Sequence, residues 1–95
     1  MIHVLAQFEV EDFDRFLEGF NSRGLRLRQK HGSHGAKVFR HRDDARRVSL
    51  LFEWEGEEAL EGFLADPDVR EAMRLGGAVG PPHLTLLDVV EDLPF

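Results

Sequence analysis

The segment of residues 47–55, RVSLLFEWE, most constrains what this chain can fold into. Its side chains alternate between two faces, which is typical of a β-strand. One face is wholly apolar and comprises Val48, Leu50, Phe52 and Trp54. The other face is mixed and comprises Ser49, Leu51, Glu53 and Glu55. A strand of this kind belongs in the middle of a sheet that is covered on one side, so the flanking sequence has to supply partner strands and covering helices.

Three further segments are predicted to be strands. Residues 2–9 alternate in the same way, with an apolar face that carries Ile2, Val4, Ala6 and Phe8. Residues 34–41 form the predicted second strand, and Asp43 and Asp44 favour a hairpin turn between it and the central strand. Residues 83–91, HLTLLDVVE, form the predicted last strand.

Two helical segments separate these strands. Apolar residues recur at helical spacing from residue 11 to residue 31, which predicts one continuous helix that ends before Gly32. A second helix follows Trp54, and Asp66 and Pro67 restart it, because aspartate suits the N-cap and proline the first helical position. Residues 76–82, GGAVGPP, are predicted to be a loop, with a pocket lid as the alternative.

The resulting order β-α-β-β-α-β predicts an α+β fold of ferredoxin-like type, with a four-stranded antiparallel sheet. With 95 residues, the chain is expected to form a single domain over residues 1–95. No apolar run approaches the roughly 20 residues that a membrane-spanning helix needs, and the first ten residues do not resemble a signal peptide. The chain has no cysteine. We therefore expect a cytoplasmic protein without disulfides and without a membrane partner.

The charges of this acidic chain are unevenly distributed. Residues 23–47 carry nine basic and two acidic residues, although the net charge of the whole chain is −6. An anionic ligand or a nucleic acid is one explanation. The other, which we favour, is a basic helix end that complements the helix dipole, followed by solvated charges at the hairpin tip. We therefore expect no nucleic-acid partner.

Several residues within these elements are candidates for a site. Gly24 interrupts the apolar stripe of the first helix, either because the backbone packs closely on the sheet or because it leaves a hollow for a ligand. The five histidines lack the spacing of a zinc site, so we expect no metal. His31 or His83 could still act as a general base beside a pocket, since the unperturbed pKa of histidine is near neutrality.

The run LLFEWEGEEALEGFLADPDVREAM, which follows Val48 and Ser49, resembles the antibiotic-biosynthesis-monooxygenase-like group of the dimeric α+β barrel superfamily. The resemblance implies that two sheets pack face to face in a homodimer, and that a small ligand lies between sheet and helices. The group includes cofactor-independent quinone-forming oxygenases and haem-degrading oxygenases. Where the haem-degrading members have tryptophan, histidine and asparagine, this chain has Phe63, Met73 and Gln7. We therefore expect no haem and no other cofactor.

The resemblance implies a ligand pocket that suits a planar apolar compound. The candidate pocket residues are Phe8, Phe20, Gly24, His31, Trp54, Phe63, Met73 and His83, although for Trp54 we favour a position in the core. One functional hypothesis is a small-molecule-binding protein that acts as a cofactor-independent monooxygenase or isomerase on an aromatic compound. The alternative is a non-catalytic structural or regulatory homodimer whose pocket is filled by its own side chains.

The second face of the predicted sheet is expected to form the homodimer. Its residues are His3, Leu5, Gln7, Lys37, Phe39, Ser49, Leu51, Glu53 and Leu87. The large apolar side chains among them exceed what a soluble monomer usually exposes in one patch, and a twofold pairing buries the patch against itself. Burial of Glu53 requires a partner, for which Lys37 and His3 are the candidates.

Overall fold

The computed structural model describes residues 1–95 as a four-stranded antiparallel sheet with four helices. The strands are β1 (Ile2–Val10), β2 (Ser33–Arg40), β3 (Arg47–Trp54) and β4 (Ala78–Leu87). The helices are α1 (Phe13–Asn21), α2 (Arg23–Lys30), α3 (Glu57–Ala65) and α4 (Pro67–Leu75). The strand order β2-β3-β1-β4 places the two predicted central strands side by side. The predicted ferredoxin-like α+β fold is therefore confirmed.

The hydrophobic core lies between the sheet and the helices. In the β1–β3 pair, Val4 lies opposite Phe52 and Ala6 lies opposite Leu50, so the two predicted apolar faces form one surface. This surface and residues of the helices form the buried cluster of Val4, Ala6, Val10, Phe16, Val48, Leu50, Phe52, Trp54 and Leu60. The alternation in residues 47–55 thus determines which side of the sheet the helices cover.

The prediction of one continuous helix over residues 11–31 is wrong, because the helix breaks at Ser22. This residue has φ −113° and ψ −88°, and its hydroxyl donates a hydrogen bond to the carbonyl of Glu18 at 2.8 Å. A serine hydroxyl that bonds a carbonyl one turn back competes with the regular backbone ladder. The break divides the apolar stripe between α1 and α2. Gly32, with φ +79°, follows the end of α2 as predicted.

The prediction of a loop over residues 76–82 is also wrong in part, because β4 begins at Ala78. Ala78 pairs with Val10 and Val79 pairs with Glu9, after which the register shifts before His83 pairs with Gln7. The shift accommodates Gly80, with φ +72°, and the two prolines that follow it. Proline is tolerated here because β4 is an edge strand. The strand ends at Leu87, four residues before the predicted end at residue 91.

The predicted restart between α3 and α4 is confirmed. The Asp66 carboxylate accepts a hydrogen bond from the backbone N–H of Asp68 at 2.9 Å, and Pro67 occupies the first turn of α4. None of the helices has the length and apolar character that crossing a membrane requires.

Candidate functional site

A cavity of about 90 Å³ lies between the apolar face of the sheet and the helices. Residues of β1, β3, β4 and all four helices form its wall. Fourteen of its nineteen lining residues are hydrophobic, and the largest are Phe8, Phe16, Phe20, Phe52, Phe63 and Met73. A mostly apolar hollow of this kind is the usual setting of a small-molecule site.

A series of aromatic contacts runs along the wall of this cavity. The ring centroids of Phe8 and Phe16 are 5.4 Å apart, and those of Phe16 and Phe20 are 5.5 Å apart. The series continues from Phe20 to Phe52 at 6.1 Å and from Phe52 to Phe63 at 6.3 Å. These separations allow favourable edge and tilted ring contacts, which a planar aromatic ligand could extend.

Five of the eight candidate pocket residues line the cavity, namely Phe8, Phe20, Gly24, Phe63 and Met73. Trp54 does not, in agreement with the core position that we favour for it. Its ring centroid lies 4.7 Å from that of Phe63, which stands in the cavity wall. Trp54 is 0% exposed, and its indole N–H has no hydrogen-bond partner. It is therefore a core residue behind the wall.

The two histidines among the candidates also lie outside the cavity, so neither is placed to act there as a general base. His83 is paired with Gln7 across the β1–β4 ladder, which puts its side chain on the opposite face of the sheet. His31 lies at the end of α2, where its Nε2 is 2.7 Å from Oδ2 of Asp66. This bond connects the end of α2 to the start of α4.

Asp66 is the centre of a small polar network below the cavity. Its Oδ2 accepts hydrogen bonds from His31 Nε2 at 2.7 Å and from Lys30 Nζ at 3.0 Å. The hydrogen bond from His31, followed by those from the Asp68 backbone and from Lys30, holds the pKa of Asp66 well below its usual range. The fold therefore stabilises the charged form of the Asp66 carboxyl group over the protonated form.

Acid should weaken this network. Because the folded pKa of Asp66 lies below the unfolded value of about 3.9, the stabilisation is complete above that unfolded value. It is lost progressively as the pH falls from there through the lower folded pKa. Asp66→Asn keeps a good N-cap residue but removes the charge. We expect the variant to melt at a lower temperature than the parent at pH 7. The difference should shrink steadily below about pH 4, as circular dichroism melts can show.

The exposed hairpin variant Asp43→Asn is the matched control, and it should follow the parent at every pH. A difference between Asp66→Asn and the parent that stays constant from pH 7 to pH 2 would contradict the proposed role of the carboxylate charge.

The atoms that surround Gly24 most closely belong to the helices and not to the sheet. A Cβ at Gly24 would lie 3.0 Å from Nη1 of Arg28, 3.4 Å from the carbonyl oxygen of Gly19 and 3.7 Å from Cδ1 of Phe20. All three atoms belong to α1 and α2, so the explanation by close packing on the sheet is wrong. The absent side chain instead leaves room for the guanidinium of Arg28 at the cavity wall.

Arg28 is the functional candidate that the sequence did not single out. Its Nη1 donates a hydrogen bond to the carbonyl of Phe20 at 2.8 Å, and its Cζ lies 3.8 Å from the centroid of the Phe20 ring. Burial lowers the pKa of Arg28 from its ordinary value. A signal was available, because Phe20, Gly24 and Arg28 follow one another at intervals of four residues and so would share one face of the continuous helix that the sequence predicts.

The opposite face of the sheet carries all nine residues of the predicted dimer surface, which we call the open face. The strand registers put the residues named from β1, β2, β3 and β4 on this one side. Phe39 and Leu87 are 49% and 41% exposed. His3 Nε2 lies 2.9 Å from Oε1 of Glu53, so His3 is the partner expected for that carboxylate. The open face thus carries exposed apolar side chains beside the His3–Glu53 pair.

The open face also contains a shallow hollow of about 300 Å³. Its lining residues are His3, Gly35, Ala36, Lys37, Leu51 and Glu53.

The five histidines of the chain are dispersed, and no three histidine, aspartate or glutamate side chains are grouped as metal ligands.

Several basic side chains of residues 23–47 have partners within the chain. Lys30 pairs with Asp66, and Arg46 Nε donates to the carbonyl of Val10 at 3.1 Å. Arg40 lies over the ring of Phe13, with 5.0 Å between its Cζ and the ring centroid. These contacts give part of the basic segment a role within the fold.

Comparison with solved structures shows the same fold in several proteins. SnoaB, a cofactor-independent oxygenase from Streptomyces nogalater, is 16% identical with a TM-score of 0.80, over 99% of this chain and 97% of that chain. A candidate antibiotic biosynthesis monooxygenase from Bordetella bronchiseptica is 21% identical with a TM-score of 0.79, over 95% and 97% of the two chains. A further antibiotic biosynthesis monooxygenase is 20% identical with a TM-score of 0.75, over 96% and 100%.

A search of curated proteins gave no significant match. The model of one protein family, described as antibiotic biosynthesis monooxygenase, matches residues 1–75. The match runs from β1 to the end of α4 and so includes most of the cavity wall. This chain therefore belongs to the antibiotic biosynthesis monooxygenase family.

Proposed function

We propose that this chain is a homodimeric, cofactor-independent oxygenase that binds a planar ring compound in the cavity between its sheet and helices. The observation that carries the proposal is the composition of that cavity, with fourteen hydrophobic residues among nineteen and phenylalanine rings along its wall. Apolar surface and ring faces favour a flat hydrophobic ligand over a sugar, a nucleotide or a peptide.

The size of the cavity narrows the ligand class. One water-sized group needs roughly 10–15 Å³ of cavity volume. A cavity of about 90 Å³ therefore has room for several groups of that size. An apolar cavity of about 150 Å³ holds benzene, so this cavity has to widen before it can hold a ring compound. Met73 is the lining side chain best suited to adapt to a larger ligand, because its unbranched thioether rotates easily.

The oxygenase part of the proposal is supported by family membership and by SnoaB, which is described as a cofactor-independent oxygenase. Without a cofactor, the ring compound itself has to supply the electrons. For 1-naphthol, one oxygen atom of O₂ becomes the new ring carbonyl of 1,4-naphthoquinone. The other leaves as water, with the hydroxyl hydrogen and the displaced ring hydrogen. One O₂ is consumed for each quinone formed.

The homodimer is supported by the open face. Leu5 and Leu51 lie opposite each other at its centre, and Phe39 and Leu87 are exposed nearby. Burying such side chains stabilises by roughly 1.5–3 kcal/mol each, and a second copy offers the same surface in a twofold arrangement. The His3–Glu53 pair reduces the cost of covering that carboxylate.

Oxygen uptake with 1-naphthol tests the proposed activity. We expect the purified chain, treated with a chelator, to consume one O₂ per naphthoquinone formed, with one labelled oxygen in the quinone when labelled O₂ is used. Ala72→Phe, which fills the cavity from α4, should abolish both binding and uptake. Ala45→Phe, which adds the same ring at the exposed hairpin, should change neither.

If 1-naphthol binds the parent chain but not Ala72→Phe, and no O₂ is consumed, the proposed oxygenase activity would be contradicted. The chain would then be a ligand-binding protein without that activity. Absence of binding altogether would favour the non-catalytic dimer module.

A further inference from the structure

We propose that Arg28 determines the ligand class of the cavity by binding an anionic oxygen carried on the planar ring, such as a phenolate, an enolate or a carboxylate. This inference rests on the proposed function, because it assigns the acidic end of the ring compound that the cavity would hold. It also gives that compound one orientation in the cavity.

Arg28 is the only charged side chain in the wall of the cavity. Of the nineteen lining residues, fourteen are hydrophobic, and Gly19, Gly24, Gly76 and Pro82 have no polar side chain. Arg28 therefore supplies the only side-chain hydrogen-bond donors and the only charge of the cavity wall. A ligand with a polar group gains most by placing that group beside Arg28, because a polar atom elsewhere in the cavity loses its water without replacement.

No acidic residue neutralises Arg28. The salt bridges of the chain involve other basic residues, and Arg28 makes one side-chain hydrogen bond, from Nη1 to the carbonyl of Phe20. A guanidinium has five N–H donors in a planar fork, so the Nε and Nη2 groups stay free for a ligand. By contrast, Arg74 on the exposed surface is paired with Glu71.

Contacts within the chain hold Arg28 in place before any ligand binds. Its guanidinium stacks over Phe20 at 3.8 Å and occupies the space that the absent Cβ of Gly24 leaves. Its hydrogen bond to Phe20 satisfies a carbonyl near the end of α1, where the helix breaks. A fixed donor fork loses little conformational entropy when an anion binds.

The charge of Arg28 has a chemical consequence for the bound ring. Because burial weakens the screening by water, the attraction between guanidinium and oxyanion is stronger here than at the surface. Since no other ionisable side chain lines the cavity, Arg28 sets the ionisation of a bound phenol. The phenol loses its proton to water, and the phenolate that remains is the electron-rich form that can donate electrons to O₂. Arg28 stabilises this anion and does not receive the proton.

A pair of probes of similar shape tests the inference without relying on turnover. 4-Nitrophenol ionises near neutral pH with a change in visible absorbance, whereas 4-nitrotoluene has a methyl group in place of the hydroxyl. We expect the parent chain to bind the phenolate about tenfold or more tightly than 4-nitrotoluene. It should lower the pKa of the bound phenol by about one unit or more.

Variants of Arg28 connect this preference to the guanidinium. Arg28→Gln can still donate to the carbonyl of Phe20 but has no charge, so the preference and the pKa change of the probe should disappear while 4-nitrotoluene still binds. Arg28→Lys should restore part of both effects. Arg26→Met, which removes an exposed arginine of α2 that does not line the cavity, should behave like the parent.

Equal binding of the two probes by the parent chain would overturn the inference while leaving the proposed cavity intact. A phenolate preference that persists in Arg28→Gln would overturn it as well. If neither probe binds the parent chain, the cavity proposal fails and the inference fails with it. Should Arg28→Gln not fold, a phenolate preference that is reduced but not lost in folded Arg28→Lys would support the inference. An unchanged pKa of the probe in the parent chain would overturn it.

Discussion

Replacing Leu51 with glutamate is expected to convert the proposed homodimer into monomers. Leu51 lies near the middle of the open face, opposite Leu5 on one side and Lys37 on the other. Twofold pairing would bury Leu51 of both subunits. The variant therefore loses the burial of two leucines, at roughly 1.5–3 kcal/mol each. It also places two charges without partners in the interface. Association should weaken by about a hundredfold or more.

Sedimentation at micromolar concentration measures this effect. The parent should sediment at about twice its chain mass of 10.9 kDa and Leu51→Glu near the chain mass itself. Leu25→Glu is the control, because Leu25 is an exposed leucine on α2, away from the sheet. A parent chain that is monomeric under these conditions, or a Leu51→Glu variant that stays dimeric, would contradict the proposed interface.

Truncating Trp54 should produce the largest loss of folding stability. Its side chain is fully buried, with ring centroids 4.7 Å from Phe63 and 5.8 Å from Phe52. Trp54→Ala should cost about 3–5 kcal/mol in the free energy of unfolding, which urea titration at a fixed protein concentration can measure. Trp54→Phe should cost clearly less, because the indole N–H has no partner whose loss would count.

Similar midpoints for Trp54→Ala and the parent would mean that the ring is not part of the cooperative core. A loss in Trp54→Phe as large as in Trp54→Ala would instead show that the indole N–H makes a bond in solution.

The strands were predictable because a period of two assigns each side chain to a face. The faces of β1 and β3 follow directly from residues 2–9 and 47–55, and the observed register agrees. The helix break and the start of β4 were not predictable in the same way. The apolar stripe continues through Ser22, whose hydroxyl competes with the backbone, and the glycines and prolines of residues 76–82 signal a loop unless the strand is known to be an edge.

The candidate site was predictable only as a face of the sheet. Alternation correctly put Trp54 on the covered face of the sheet. It could not show whether Trp54 reaches the cavity, because that depends on Phe63, which contacts Trp54 and itself lines the cavity. The position of His83 was predictable, because His83 alternates with Leu84 and so shares the open face with Thr85 and Leu87. Arg28 was missed because a charge near a helix end also has an ordinary explanation by the helix dipole.

The most direct test of ligand binding in the cavity uses the two methionines of the chain. Met73 lines the cavity, whereas Met1 is exposed and does not line it. With carbon-13 labels in the methionine methyl groups, titration with 1-naphthol should shift the Met73 resonance in a saturable way and leave Met1 unchanged. The cavity-filling variant Ala72→Phe should remove the shift. A Met73 resonance that does not move up to the solubility limit of the naphthol would contradict binding at this site.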